Sequence, residues 1–358
     1  MAQKVKFLDP TKKLKLKTFR SLSIKTKVKT GGKIVQIKAD KELFARLVII
    51  AQARSMDLKQ VLQYLLGPVP WSLATADGAM CKTPKSKLLP LLESAASPVE
   101  QPPHGAAHII DGMAMLQAFK GVPSTFGDLA DQLLRLVVAR LSAASRVDVV
   151  FNCYNDMSIK SFERNKRAGT ESLLVAIAGS TTKCPKQWGK ALHVSANEAA
   201  IVSFLVEEWQ KVKYAPLIAQ RSLFVTSGEQ CWLFRTEASD GTVTVQRFAV
   251  PELECSHEEA DTRMLLHAQH AANTGQASVI IRSPDTDVAV IACSLASQIQ
   301  ARLIFQTETT QRMRYLDLTA IAASFGQGVA TALIGMHSMT GCDTTSAFSG
   351  RGKKAAFA

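Results

Sequence analysis

The segment Ala277-Ser278-Val279-Ile280-Ile281-Arg282-Ser283-Pro284-Asp285-Thr286-Asp287 decides the fold of this 358-residue chain. Its first half is a short apolar run rich in β-branched residues, which is typical of a strand buried on both faces. Two carboxylates follow at the end of that strand, and residues 287–296 then have the composition of a helix. A buried strand that leads into a helix predicts a parallel sheet with crossover helices.

The same alternation of strands and helices extends outward from this segment and begins near residue 106. Short apolar runs predict strands at 107–111, 146–151 and 302–306. Helical spacing of apolar residues predicts helices at 128–144, 195–211, 258–272 and 331–338. The predicted fold class is therefore α/β, a three-layer α/β/α sandwich around a central parallel sheet, with a β-rich insert near 221–250.

The residues before 106 predict a helical, basic N-terminal region. Residues 1–38 contain twelve Lys and Arg and one acid, so they hold +11 of the net charge of +13. We expect residues 1–40 to be a disordered basic arm and residues 41–105 to be helical and loop-rich. Such an arm can neutralise phosphates or act as a nuclear address, and a solvated tail is the alternative.

Composition also predicts where the protein works. No apolar run reaches the roughly 20 residues that span a bilayer, and the lysine-rich start lacks the apolar core of a secretory signal. The seven cysteines are widely spaced without a C-x-x-C pair, which is typical of reduced thiols. We therefore expect an intracellular, nuclear protein without a membrane partner.

Carboxylates recur beside the predicted strand ends and helix starts. In open parallel sheets ligands bind beyond the carboxyl ends of the strands, so these acids are expected in one crevice. Buried unpaired charges are costly, and a divalent cation is the simplest group that holds several carboxylates together. The predicted metal ligands are Asp111, Glu259, Asp261, Asp285, Asp287 and Asp343. Helix-capping and surface aspartates are the alternative.

The ligand type indicates the metal. Hard oxygen ligands favour Mg²⁺ or Mn²⁺ over zinc, and two such ions roughly 4 Å apart would activate a water and stabilise the leaving oxygen of a phosphodiester. The H-x-x-H spacing of His267 and His270 favours a pair of histidines on a helix surface. A zinc site there would need a third ligand, for which Cys255 and His257 are the only candidates.

The order of these motifs resembles the flap endonuclease/XPG branch of the PIN-like nucleases, over about residues 106–358. Asp111 is similar to that family's first-strand aspartate, and Glu259-Ala260-Asp261 to its E-A-[ED] pair. Asp285-Thr286-Asp287 is similar to its D-x-D pair, and Gly341-Cys342-Asp343 to its late G-x-D loop. The set also resembles transposon-derived animal proteins that share the segment 340–343.

The resemblance implies a divalent-metal-dependent, structure-specific endonuclease with a two-metal site. DNA, or RNA, with branched or single-stranded character would be the partner. Lys160 and Arg164, in a basic segment, would hold the scissile phosphate. Residues 340–358 would be a truncated helix–two-turn–helix, which suggests that the chain is a fragment. Its turn would bind duplex phosphates through Gly350, Arg351, Gly352, Lys353 and Lys354.

One position departs from the family pattern. Asn152 lies where a second-strand aspartate is expected, and an amide oxygen brings no charge to a metal. The alternative function is therefore a catalytically degenerate PIN-like module that binds nucleic acid or protein without cleavage.

Overall fold

The computed structural model describes residues 25–357, with a gap at 155–173. Shorter gaps lie at 31–32, 39–40, 55, 64–69, 71, 76–78, 120, 140–143, 220, 240, 309–312 and 349. The chain divides into two compact units. The first comprises residues 1–82 and 346–351, and the second comprises residues 83–345 and 352–358.

The first unit contains a two-stranded sheet and helices. Strands β1 (Lys25–Thr30) and β2 (Lys33–Lys38) pair antiparallel, where a disordered arm was expected. The β-branched residues Thr and Val in β1, and Ile and Val in β2, favour strands. Within the region expected to be helical and loop-rich, helices occupy Lys41–Arg54 and Leu58–Val61, and Asp57 caps the second helix.

The second unit is built on an eight-stranded mixed sheet. Its strands are β3 (Ala107–Asp111), β4 (Arg146–Val150), β5 (Ser222–Ser227), β6 (Gln230–Ser239), β7 (Thr242–Ala249), β8 (Ser278–Arg282), β9 (Arg302–Glu308) and β10 (Met313–Asp317). Their spatial order is β10-β9-β8-β3-β4-β5-β6-β7. The five central strands, β9-β8-β3-β4-β5, are parallel, and the outer three pairings are antiparallel. The α/β prediction is confirmed, with a sheet that is mixed.

Helices pack on both faces of this sheet. The helices described in the second unit are Leu89–Glu93, Gly112–Gln117, Phe126–Ala139, Trp188–Ala191, Ser195–Glu208, Ala215–Ile218, Ala260–Asn273, Thr286–Leu295, Leu318–Phe325, Gln327–Met339 and Lys353–Phe357. Ile109 of β3 lies in the core that contains Met264 and Val288. The next residue, Ile110, lies in the core on the opposite face, which contains Leu133 and Leu205. Alternate strand residues therefore contribute to two cores, as in a three-layer arrangement.

The segment expected as a β-rich insert belongs to the sheet. β5 pairs parallel with β4, and β6 and β7 extend the same sheet as antiparallel neighbours. The sequence pattern did not predict β10 or the helix Leu318–Phe325 that follows it directly. Asp317 ends that strand and also caps the helix, so no turn residues separate the two elements.

Among the described residues, no single helix has the length and apolar character needed to cross a membrane. The helices Leu318–Phe325 and Gln327–Met339 meet that test only as a pair, and they are bent by 105° at their junction.

Candidate metal centre

The candidate site lies between two neighbouring parallel strands whose following helices pack on opposite faces of the sheet. Numbered along the chain, the parallel strands have the order 5-4-1-2-3, so β3 and β8 flank the switch point of a doubly wound sheet. Side chains that follow these two strands meet there, because Ser283 Oγ donates to Asp111 Oδ2 over 3.0 Å. Topology therefore brings together residues that are distant in sequence.

Asp111 is held tightly at this point. Its Oδ1 accepts the amide of Ala114 at 2.9 Å and so caps the helix Gly112–Gln117. The absence of a side chain at Gly112 matters, because a Cβ there would collide with the ring of Phe151. Burial raises the pKa of Asp111, and the nearby charge of Asp285 acts in the same direction.

Three aspartates form the centre of the site. One carboxylate oxygen from each of Asp261, Asp285 and Asp287 lies within 4.8 Å of the others. Asp285 caps the helix Thr286–Leu295 by accepting the amide of Asp287 at 3.0 Å, and Ser283 Oγ accepts the amide of Asp285 at 3.1 Å. Asp261 comes from the first turn of the helix Ala260–Asn273. These oxygens can hold a metal ion.

A lysine that the sequence reasoning missed lies among these acids. The Lys85 ammonium is 3.1 Å from Asp285 Oδ1, 2.9 Å from Asp287 Oδ2 and 3.1 Å from Asp343 Oδ1. Burial disfavours its charged form, but the field of Asp285 and Asp287 and the hydrogen bonds they accept raise its pKa. Lys85 therefore remains an ammonium and links Asp343 to the aspartate pair.

A histidine also contacts the centre. His337 Nε2 is 2.8 Å from Asp287 Oδ1, and the imidazole is almost fully buried. Burial alone would raise the pKa of Asp287. The hydrogen bonds from His337 and Lys85, with the charge of Lys85, instead lower it to about 2. Asp287 is therefore ionised at neutral pH. No sequence spacing relates His337 to Asp287, fifty residues earlier.

Asn152 has a structural role at the edge of the site. Its Oδ1 accepts the amide of Ala260 at 2.9 Å, which satisfies a free amide at the start of the helix that carries Asp261. Glu259 is the cap residue of that helix but makes no capping hydrogen bond, and it lies outside the group of three aspartates. Asn152 thus fixes the helix end beside the acids.

We expect Asn152→Ala to destabilise the second unit by about 1 kcal/mol, which is typical for loss of a capping side chain. Asn152→Asp should keep the cap, because a carboxylate oxygen accepts the same amide. Urea unfolding followed by circular dichroism measures both. Equal losses of stability in the two variants would contradict the capping role.

Lys353 does not present its ammonium to solvent. It is 2% exposed and donates to the carbonyl oxygens of His337 at 3.1 Å and Gly341 at 2.8 Å, and to Thr340 Oγ1 at 3.1 Å. Burial lowers the pKa of Lys353. The side chain therefore stabilises the carboxyl end of the helix Gln327–Met339, where a cation is favoured, and is not placed for a phosphate.

The other predicted phosphate contacts have different outcomes. Gly350, Arg351 and Lys354 are exposed, Gly352 is partly exposed, and Gly350 has a positive φ of 77°. Their role in binding a duplex stays a prediction. Lys160 and Arg164 lie outside the described residues.

The expectation that His267 and His270 form a helix-surface pair is wrong for His267. That side chain is fully buried, and its Nδ1 lies 2.7 Å from Oδ2 of Asp148, which is also buried. Arg146 donates to both oxygens of Asp148 at 2.9 and 2.8 Å and contacts His270 Nδ1 at 2.8 Å. The spacing instead places both histidines on the helix face that covers β4.

The geometry also bears on the alternative of a zinc site at His267 and His270. Within the described parts of the chain, the three aspartates are the one group of histidine, cysteine or acidic residues with the geometry to hold a metal. The two histidines do not join Cys255 or His257 in such a group. His267 therefore belongs to the core, and His270 is partly buried beside it.

Fold and site together define an α/β protein with a group of carboxylates, able to hold a metal ion, at the switch point of its sheet. Comparison of the chain with protein-family models, with curated proteins and with solved structures found no match. Function is therefore inferred from the chemistry and geometry of the site itself.

Proposed function

We propose that the protein is a divalent-metal-dependent nuclease that hydrolyses phosphodiester bonds in DNA or RNA of branched or single-stranded character. The observation that supports this most is the convergence of Asp261, Asp285 and Asp287 within 4.8 Å beyond the carboxyl ends of parallel strands. Ligands in open α/β sheets bind at this position. The order of the acidic motifs along the chain adds the family resemblance described above.

The donor set fits Mg²⁺ or Mn²⁺. Carboxylate oxygens are the ligands that these hard cations prefer. Asp343 is a further carboxylate near the three aspartates, because it contacts the same lysine, Lys85. When bound, such ions activate water and stabilise an alkoxide leaving group. The residues of this chain would hold the ions, with Asp285 and Asp287 fixed by helix capping and by His337.

Charge outside the site supports a nucleic-acid partner. Residues 1–38 hold most of the net positive charge, and cationic segments bind phosphate backbones by releasing counterions. The same segment supports a nuclear location.

The test is cleavage by purified full-length protein. Labelled flap, nicked and single-stranded DNA and single-stranded RNA are incubated with Mg²⁺ or Mn²⁺, and EDTA serves as the control. We expect cleavage of at least one substrate that requires the metal. Lack of cleavage in every combination would refute an active nuclease.

The second candidate is a binding module without catalysis, and the contact of Asn152 favours it. A helix-capping amide replaces a possible carboxylate ligand at this position. Such a module predicts salt-dependent DNA binding that Asp285→Ala leaves unchanged. If cleavage appears only in Asn152→Asp, the natural protein is a binder.

A further inference from the structure

The Lys85 ammonium has the contacts of a bound cation. It lies within 3.2 Å of both oxygens of Asp285, and it also contacts Asp287 and Asp343. Two of these acids belong to the group of three that can hold a metal. The lysine brings a single positive charge to a place where four carboxylates meet, whereas two divalent ions would bring four.

We propose that Lys85 is an internal cation that holds this site together without metal, and that a divalent ion binds by displacing it. This inference rests on the proposed function, since it concerns the same site. In addition, Lys85 and the metal ion would compete for the same carboxylates, and this competition would set the apparent metal affinity. Lys85 thus positions the carboxylates and is not itself a metal ligand.

The chain around Lys85 allows the side chain to leave while the backbone stays in place. Thr83 Oγ1 donates to the carbonyl oxygen of Thr340 at 2.6 Å, which fixes the segment on one side. Leu88, Leu89 and Leu92 are buried in the core on the other side. Between these anchors, the Lys85 side chain is 22% exposed, so rotation about its flexible stem can carry the ammonium into solvent.

Competition of this kind has a predictable size. The apparent affinity of a site falls by the fraction of time for which it is open to the ligand. If the lysine occupies the carboxylates for about 90–99% of the time, its removal raises the apparent affinity by about 10- to 100-fold. Lys87 lies two residues further on in the same 3₁₀ turn, with an exposed side chain, and offers a matched control.

The experiment is a titration of metal-free full-length protein with Mn²⁺ by isothermal calorimetry. We expect Lys85→Met to bind Mn²⁺ about 10- to 100-fold more tightly than the natural protein, and Lys87→Met to bind it equally. In metal-free buffer Lys85→Met should melt at a lower temperature, because its carboxylates then repel one another, and saturating Mn²⁺ should remove that difference. Lys85→Gln, which keeps a polar side chain, serves as the second variant if Lys85→Met fails to fold.

Three outcomes would overturn the inference. If the Lys85 variants fold but bind Mn²⁺ no more tightly than the natural protein, the lysine is a structural ion pair and the proposed function is unaffected. If Lys87→Met gains as much affinity as Lys85→Met, the effect is that of overall charge. If no variant binds Mn²⁺, the metal site of the proposed function fails as well.

Discussion

Asp287→Asn should reduce metal-dependent cleavage by at least about 100-fold while the protein stays folded. The substitution keeps the size of the side chain and the oxygen that faces His337 Nε2, but it removes a charge from the group of three aspartates. Changes at residues that only support metal ligands cost about 10- to 100-fold, so loss of a ligand charge should reach or exceed the upper value. Initial rates on the best substrate measure the effect, and Mn²⁺ affinity gives an independent readout.

The matched control for this prediction is Glu252→Gln. Glu252 is an exposed acid in the same unit and lies outside the group of three aspartates, so its change alters the net charge by the same amount. Cleavage by the control should equal that of the natural protein. Near-natural cleavage and Mn²⁺ affinity in Asp287→Asn would show that the aspartates do not hold the metal.

Asp148→Ala should destabilise the second unit by about 3–5 kcal/mol, the usual cost of breaking a buried ion pair. Arg146 is 4% exposed, and both its contacts with Asp148 would be lost. Burial raises the pKa of Asp148, but the hydrogen bonds from His267 and Arg146 outweigh this and lower it. The carboxylate therefore stays charged in the core, and its removal leaves a buried guanidinium without a counter-charge. Urea unfolding measures the loss.

Two comparisons test the origin of this loss. The double variant Arg146→Met/Asp148→Leu should recover part of the stability, because apolar residues of similar volume often replace a buried pair at little cost. Glu308→Gln breaks the more exposed ion pair between Glu308 and Arg282 and should cost less than about 1 kcal/mol. A loss in Asp148→Ala as small as that of Glu308→Gln would contradict the role of the buried network.

Much of the sheet could be predicted because its strands carry a local signal. The β-branched runs that became β3, β4, β8 and β9 end close to where the apolar pattern stops. The β-rich character of residues 221–250 was also detected, but the place of its strands in the sheet was not, because strand order depends on long-range pairing. β10 was missed because Met313-Arg314-Tyr315-Leu316-Asp317 has mixed polarity and joins a helix without turn residues.

The candidate site was predictable only in part. Asp261, Asp285 and Asp287 converge as expected, since acids after parallel strands share one edge of the sheet. Asp111 and Asn152 lie at the same edge, but each caps a helix, a role that a strand-end position does not reveal. Lys85 and His337 were invisible to sequence reasoning because a lysine in a loop and a histidine in a helix carry no spacing signal toward an acid. Their partners lie 202 and 50 residues away.

The order of the central strands has a consequence for how the protein matures. Lys85 and Asp287 are separated by 202 residues, and Asp111 and Ser283 by 172, so the first half of the chain alone cannot form the site. Contacts of such long range form slowly, because the loops between them must close first. A metal ion that binds only the finished arrangement would add to its stability through mass action. High metal affinity would then appear only after synthesis is complete. A partly synthesised chain would contain some of the carboxylates but would not bind the metal tightly.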